Sequence, residues 1–517
     1  MPTPFNSSAI DYPDKPGLGL IDSIIAGMRW ADNFISFSFP GYDAPWSPHP
    51  YLGYAPNEEP WSLSYAPISP SNQADFKAAL RQWENVADIL FIQIDETQDI
   101  VGDIRVAYTE ISNMDDAEAW TYLPAPGAWG GDIWINQSSS SATREWTAGS
   151  FSFLTMLHEI GHALGLEHPF EDPGFPVSED TMSRTIMSYS AIAGNRLSFF
   201  DYHPTTPMPL DIQAIQYLYG ANNNFRRNDD IYLYSDSTTY HETLWDSGGI
   251  DTVRYDGGLP AFIQLQPGEG SYIGNTVYAI SADESIPVPN VWIAFDTIIE
   301  NASGGHYHDT LYGNAFDNTL AGNEGDDTFI GMAGNDTLLG GTGIDKALFS
   351  GIQHDYTFRR TENGFVVSDQ TGNSGEDTLI EIERLLFDNA GIALDISGNA
   401  GILAKLLGTV FGAEALHDPD IVRAGLVYVD DGLALEQLVS IALDAAGVHE
   451  SEEIVNLLWH NLFGSAPTAD QAQPYLDQLG SNSLSIAELT WLAADSQFNA
   501  ENINLTGLYE TGIVFTL

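Results

Sequence analysis

The chain has 517 residues, 43% of them apolar, no cysteine, and 17 Lys plus Arg against 72 Asp plus Glu, for a formal charge of -55. That length and apolar content describe a globular protein of about two to four domains rather than a disordered one. The charge argues against nucleic acid and anionic membrane as partners and favours multivalent cations, while the lack of cysteine excludes disulfides and thiolate metal sites.

From the N-terminus, residues 1–20 have neither the basic start nor the apolar core of a Sec-type signal peptide. Ile21 to Ile25 spell a short helix that leads past Trp30 into a strand at Ile35–Phe39, where apolar residues alternate. Asn72 to Ala87 reads as a helix with Phe76, Ala79, Leu80, Trp83 and Val86 along one stripe and Ser71 or Asn72 as its cap. Strands are expected at Leu90–Ile94 and Ile104–Tyr108, which gives this part an α+β order. Gly130–Asn136 reads as an edge strand, and Ser150–Leu166 as a helix whose apolar face is Phe153, Leu154, Leu157 and Ile160.

That last helix carries the most specific signal in the sequence. His158 and His162 are four apart, so their rings share one face, as two ligands of one metal must. Glu159 then lies beside the metal, where a general base is needed to take a proton from water. His168 would be carried away on a continuing helix at about 1.5 Å per residue, but Gly165 can turn left-handed, end the helix and bring it back. Three neutral imidazoles around an open position suit a catalytic zinc better than a structural one.

The full spacing H-E-x-x-H-x-x-G-x-x-H resembles that of the metzincin metallopeptidases, and Thr185-Ile186-Met187-Ser188-Tyr189 resembles their Met-turn. Pro169 directly after the third histidine, and the opening helix and strand, are similar to the serralysin branch. The resemblance implies that Met187 sits under the zinc cluster, that Tyr189 stabilises the oxyanion, and that the strand at 130–136 borders the cleft and pairs with an extended peptide.

Beyond Tyr189 the chain is turn-rich, with a boundary near Pro207–Pro209 and a short helix over Asp211–Gly220. Two acidic loops follow, and the serralysin resemblance implies a calcium site built from Arg226, Asn228, Asp230, Asp246, Gly248 and Asp251. Asn228 stands where a glycine is expected and would offer its backbone carbonyl. A repeat of nine then begins, with units at Gly304, Gly313, Gly322, Gly331 and Gly340 that approximate G-G-x-G-x-D-x-U-x. Leu311, Leu320, Phe329, Leu338 and either Leu348 or Ala347 are expected to stack inside a parallel β-roll. The carboxylate position holds Asp309, Asn318, Asp327, Asp336 and Asp345, with Asp317 able to stand in for Asn318. Tyr307 and Phe316 replace the fourth-position glycine in the first two units, so the later units are expected to bind best. Oxygen-only ligands on flexible turns suit calcium.

These units resemble RTX repeats, which implies folding on calcium outside the cell and export through a type I apparatus. Glu510–Leu517 resembles the tail signal of that route. Tyr356–Arg360 and Gly364–Asp369 read as a hairpin about Asn363-Gly364, and Glu376–Phe387 resembles the strand that follows RTX arrays. From about Gly398 the pattern is helical: Gly401–Leu416 is amphipathic, Ile454, Leu457, Leu458, Leu462 and Phe463 share one face, and helices follow at 469–479 and 486–494. This part resembles, loosely, an all-helical domain of unassigned function attached to secreted bacterial proteins.

The expected protein is multidomain: an N-terminal segment (1–20), an α+β metzincin catalytic domain (21–205), a calcium-binding parallel β-roll (206–397) and an all-α domain (398–517). It is expected to be a secreted monomeric endopeptidase with one Zn2+ and several structural Ca2+ ions, acting on protein or peptide substrates, with no nucleic-acid partner and no membrane span. Two other readings stay open. One is a non-catalytic calcium-dependent adhesin with a vestigial peptidase domain, against which the intact Glu159 argues; the other is a peptidase with a single partner protein as its target.

Overall fold

The computed structural model describes residues 2–49, 51–110 and 117–517. The chain divides into two compact units, one running to Gly257 and again over Ala261–Ile299, the other comprising Gly258–Pro260 and Glu300–Leu517.

The first unit is built on a sheet in the order Leu90–Gln93, Phe34–Ser38, Ile104–Thr109, Ile133–Asn136, Ala119–Thr121, parallel except for the last pair. Ile133–Asn136, expected at the edge, is interior; the edge is Ala119–Thr121. The interior place agrees with burial of all four residues, as for a strand flanked on both sides and covered on both faces. Ile133 and Ile135 pack into the main core, while Trp134 turns the other way to join Trp46, Tyr54 and Trp120.

Two helices cross the main core. Pro70–Val86 starts two residues earlier than expected because Ser69 is the cap, its hydroxyl accepting from the Asn72 N–H, and Pro70 fits the first helical position. Its predicted stripe is buried, and Trp83 Nε1 donates to the Leu157 carbonyl of the second helix, Phe151–Ala163. That helix is capped by Ser150, whose hydroxyl accepts from the Phe153 N–H. Nearly all of its side chains are buried, so it is a rigid platform. A third helix, Pro209–Tyr219, ends at Gly220 with φ +86°.

In the second unit the repeat of nine becomes geometry. Each repeat gives one short strand and one turn, so two repeats complete a coil and strands pair in parallel at a spacing of 18: Thr310 with Thr328, Thr319 with Thr337, Thr328 with Lys346. Leu311, Leu320, Phe329, Leu338 and Ala347 are the buried core; Leu348 points outward. After Lys346–Leu348 a hairpin interrupts the coil, Tyr356–Arg360 against Phe365–Asp369, with Arg360 opposite Phe365. The connection is therefore four residues, not a two-residue turn on Asn363-Gly364.

The coil then resumes. Glu376–Ile380 pairs with Thr337–Thr342 and Arg384–Phe387 with Lys346–Leu348, both parallel. The expected single strand over 376–387 is thus two, bent at Glu381 with φ +54° so that each face of the coil receives one. Helices run from Asn399–Val410 to Leu505–Thr511 around two apolar clusters. Ile513–Phe515 returns as a strand beside Ala390–Ala393, so the stretch that resembles a tail signal is ordered. Among the described residues no helix is long and apolar enough to cross a membrane.

Candidate active site

The helix Phe151–Ala163 presents His158 and His162 one turn apart, and the chain reverses after Leu164. Gly165 adopts φ +102°, and a Cβ there would overlap the Met28 carbonyl oxygen, so both conformation and space demand glycine. The reversal brings His168 Nε2 to 3.2 Å from His158 Nε2 and 3.1 Å from His162 Nε2.

The second nitrogen of each ring shows what these three atoms are. His158 Nδ1 is 2.7 Å from the Ile186 carbonyl, His162 Nδ1 is 2.8 Å from the Leu166 carbonyl, and His168 Nδ1 is 3.0 Å from the Glu171 carboxylate. Those partners can only accept, so each Nδ1 carries the hydrogen and each Nε2 a lone pair. Three converging lone pairs cannot hydrogen-bond one another and are matched by a cation. Burial holds His158 well below its usual pKa and His162 down at about 3, which keeps those two rings neutral as metal ligands require. The histidines therefore fit a zinc ion with an open fourth position.

Glu159 is buried, its carboxyl pushed up to about 7 by burial, with the Thr121 hydroxyl donating to Oε2 at 2.7 Å and opposing that rise. Thr121 lies on the edge strand, and sequence reading missed it because 38 residues separate the partners. Tyr189 brings its hydroxyl 2.8 Å from His168 Nε2; burial pushes that phenol up to about 12, with the Glu159 and Glu171 charges adding to the rise. Met187 is fully buried beneath the helix, and a Cβ at Gly161 would stand 2.7 Å from its sulfur. Asp211 holds the Met187 turn in place, accepting from Thr185 Oγ1 at 2.6 Å and from the Ile186 and Met208 N–H groups at 2.8 and 2.9 Å. A cavity of about 780 Å3 opens beside His158, Glu159 and Tyr189, walled by Phe151, Leu154, Met182 and Ile186.

In the same unit, oxygens of Asp230, Asp246 and Asp251 converge within 4.8 Å of one another. Asp251 Oδ1 accepts from the Asp230 N–H, Asp246 Oδ1 accepts from the Gly248 N–H, and Asn228 turns its carbonyl toward Gly249. Arg226 has φ +46°, and its guanidinium approaches Asp230 at 3.9 Å.

In the coil, Asp327, Asp336 and Asp345 each give Oδ1 to the N–H of the residue 18 earlier, at 2.7 to 2.8 Å. Their Oδ2 atoms are buried without a partner among the described residues, and a Cβ at Gly322, Gly331 or Gly340 would collide with them. Buried lone acceptors facing glycine turns fit calcium. Asp309 has the same inward placement, and Asn318 takes it in the second unit. Asp317 points outward to accept from the Asn335 N–H. The ladder also continues where the repeat had ended: Asp377 accepts from the Asp336 N–H and Glu383 from the Asp345 N–H, at 2.9 and 2.8 Å. Sequence reading missed both because the inserted hairpin changes the spacing to 41 and 38.

Comparison with known proteins shows what the chain is similar to. Residues 57–175 match the matrixin peptidase family, which implies a catalytic zinc, and residues 303–347 match the RTX calcium-binding nonapeptide repeat in four copies, which implies calcium. The chain is 31% identical over 289 residues to a serralysin of Photorhabdus luminescens, covering 51% of this chain and 57% of the relative. It is 33% identical over 262 residues to serralysin G of Dickeya chrysanthemi, covering 46% and 52%. It is 33% identical over 281 residues to the metalloprotease AprA of Pseudomonas entomophila, covering 49% and 55%. The chain thus spans just over half the length of these relatives. Peptidase match, repeat match and relatives together make the chain similar to serralysin-type metzincins with RTX repeats.

Proposed function

We propose that the chain is a secreted zinc endopeptidase that hydrolyses peptide bonds in proteins and is stabilised by calcium. The observation that carries the proposal is the convergence of three Nε2 lone pairs with Glu159 and Tyr189 at the mouth of a cavity bordered by an edge strand. His158, His162 and His168 hold the zinc, which when bound supplies the Lewis acidity for activating water and polarising the scissile carbonyl.

The chain's own groups do the rest. An extended substrate adds to the edge Ala119–Thr121 by main-chain hydrogen bonds. Glu159, oriented by the Thr121 hydroxyl, takes the proton of the attacking water and delivers it to the leaving amine. The Tyr189 O–H donates to the carbonyl oxygen as negative charge grows there. Arg226, Asn228, Asp230, Asp246, Gly248 and Asp251 form one calcium site. The turns carrying Asp309, Gly322, Asp327, Gly331, Asp336, Gly340 and Asp345 form others, joined by Asp377 and Glu383.

The division into a peptidase part (21–205), a β-roll (206–397) and a helical part (398–517), action as a monomer and export by a type I apparatus complete the proposal. The adhesin alternative gives no role to a buried Glu159 held by Thr121. The test is digestion of unstructured peptides by the calcium-loaded chain, with zinc counted per chain. One zinc, whose removal stops cleavage and whose return restores it, is expected; a folded, zinc-loaded chain that leaves all peptides intact overturns the proposal.

A further inference from the structure

Among the described residues Arg196 is the one arginine or lysine lining the cavity beside the histidines. Its guanidinium lies 3.9 Å over the ring of Phe170. Phe170 in turn stacks on His168, 4.8 Å away with an interplanar angle of 10°, and lies 5.0 Å from Tyr189. The cation is thus seated on a stack that starts at one of the site histidines, which fixes where it stands relative to the reacting groups.

A guanidinium lying on a ring uses its flat face for that contact and keeps its five N–H donors around the edge. Arg29, Arg105, Arg184 and Arg384 each hold a carboxylate within 3.1 Å. Among the described residues Arg196 holds none, in a chain with 72 acids for 17 lysines and arginines. Phe151, Leu154, Met182 and Ile186 make much of the surrounding wall apolar, and its two carboxylates are engaged elsewhere, Glu118 by Ser140 and Ser141 and Glu159 by Thr121. A planar fork with free donors, in a cavity that a substrate side chain enters, matches the geometry of a carboxylate.

We propose that Arg196 is a specificity-determining residue that receives a carboxylate of the substrate in this cavity. The carboxylate is either an Asp or Glu side chain close to the scissile bond or the terminal carboxylate of a short peptide. The inference rests on the peptidase reading above and names the substrate class for that site. It does not follow from the overall charge, since a surface at -55 repels acidic peptides at long range.

The test uses the full calcium- and zinc-loaded chain and matched peptides that carry Asp or Asn at each position flanking one cleavable bond, with free or amidated C-termini. Cleavage is followed in the wild type, and binding is followed separately by fluorescence anisotropy in Glu159→Ala. Asp peptides are expected to bind about tenfold more tightly than Asn peptides, with the effect mainly in KM. The preference is expected to vanish in Arg196→Gln and to persist only in part in Arg196→Lys, which lacks the fork. A preference confined to free C-termini assigns the terminal carboxylate, and one that survives amidation assigns the side chain. Equal binding of all four peptide types, or a preference that outlives Arg196→Gln, overturns the inference. If nothing is cleaved but Glu159→Ala still shows an Arg196-dependent preference, the peptidase reading falls and the carboxylate site stands.

Discussion

Gly165→Ala tests the joint that brings the third histidine home. Gly165 sits at φ +102°, where an L residue costs about 1–2 kcal/mol, and its new Cβ would overlap the Met28 carbonyl oxygen, part of a backbone that must shift at about 1–3 kcal/mol more. A total of about 2–5 kcal/mol is a large share of a typical folding stability of about 5–15 kcal/mol. The shift is transmitted to His168, three residues on, so zinc affinity is expected to fall at least about tenfold. Two measurements separate these effects: thermal unfolding of the calcium-loaded, zinc-free protein, where a fall of at least about 4 °C is expected, and zinc affinity by competition with a chromophoric chelator. Gly19→Ala is the control, because nothing lies within 4 Å of an added Cβ there. If Gly165→Ala melts with the wild type and binds zinc equally well, the role assigned to this turn is wrong.

Thr121→Val removes the hydroxyl that orients Glu159 and is expected to lower kcat about tenfold with little change in KM; Thr121→Ser restores it, and an unchanged kcat contradicts the assignment. Without calcium, burial pushes Asp327 and Asp336 up to about 7 and Asp345 to about 6, above the ordinary value of about 3.9. The folded coil then holds more protons than the unfolded chain between about pH 4 and 7, so its calcium-free stability falls as pH rises through that window. Protection from hydrogen exchange over residues 300–390 in calcium-free protein, taken relative to the intrinsic rate at each pH, is expected to be greater at pH 5 than at pH 8, and no difference refutes the reasoning. Asp377→Asn and Glu383→Gln are each expected to weaken calcium binding as measured by titration calorimetry. Wild-type isotherms would remove both residues from the calcium ladder.

The parts legible in the sequence are those where function forces a fixed local spacing. The histidines and Gly165 lie within 11 residues of one another, from His158 to His168, with Met187 and Tyr189 following in one short turn, and each position demands a particular residue type. The repeat of nine was legible for the same reason, including the inward Leu311, Leu320, Phe329 and Leu338, while the fifth apolar place stayed open between Ala347 and Leu348. Contacts made across long separations were not. Thr121 meets Glu159 only because the edge strand folds back over the helix, and Ile133–Asn136 lies inside the sheet because Ala119–Thr121, earlier in the chain, pairs outside it. Asp377 and Glu383 belong to the aspartate ladder in space but not in spacing, since a hairpin is inserted ahead of them. Asn318 rather than Asp317 faces inward because the coil fixes the phase of each side chain regardless of its charge.

The central claim is that these side chains cut peptide bonds, and the most direct test is casein hydrolysis by the calcium-loaded chain beside its Glu159→Ala variant and a sample treated with a zinc chelator. Hydrolysis by the wild type, lost in the variant although its zinc content and fold are unchanged, and lost on chelation, is the predicted result. Equal hydrolysis by Glu159→Ala, or none by a folded and zinc-loaded wild type, would contradict it.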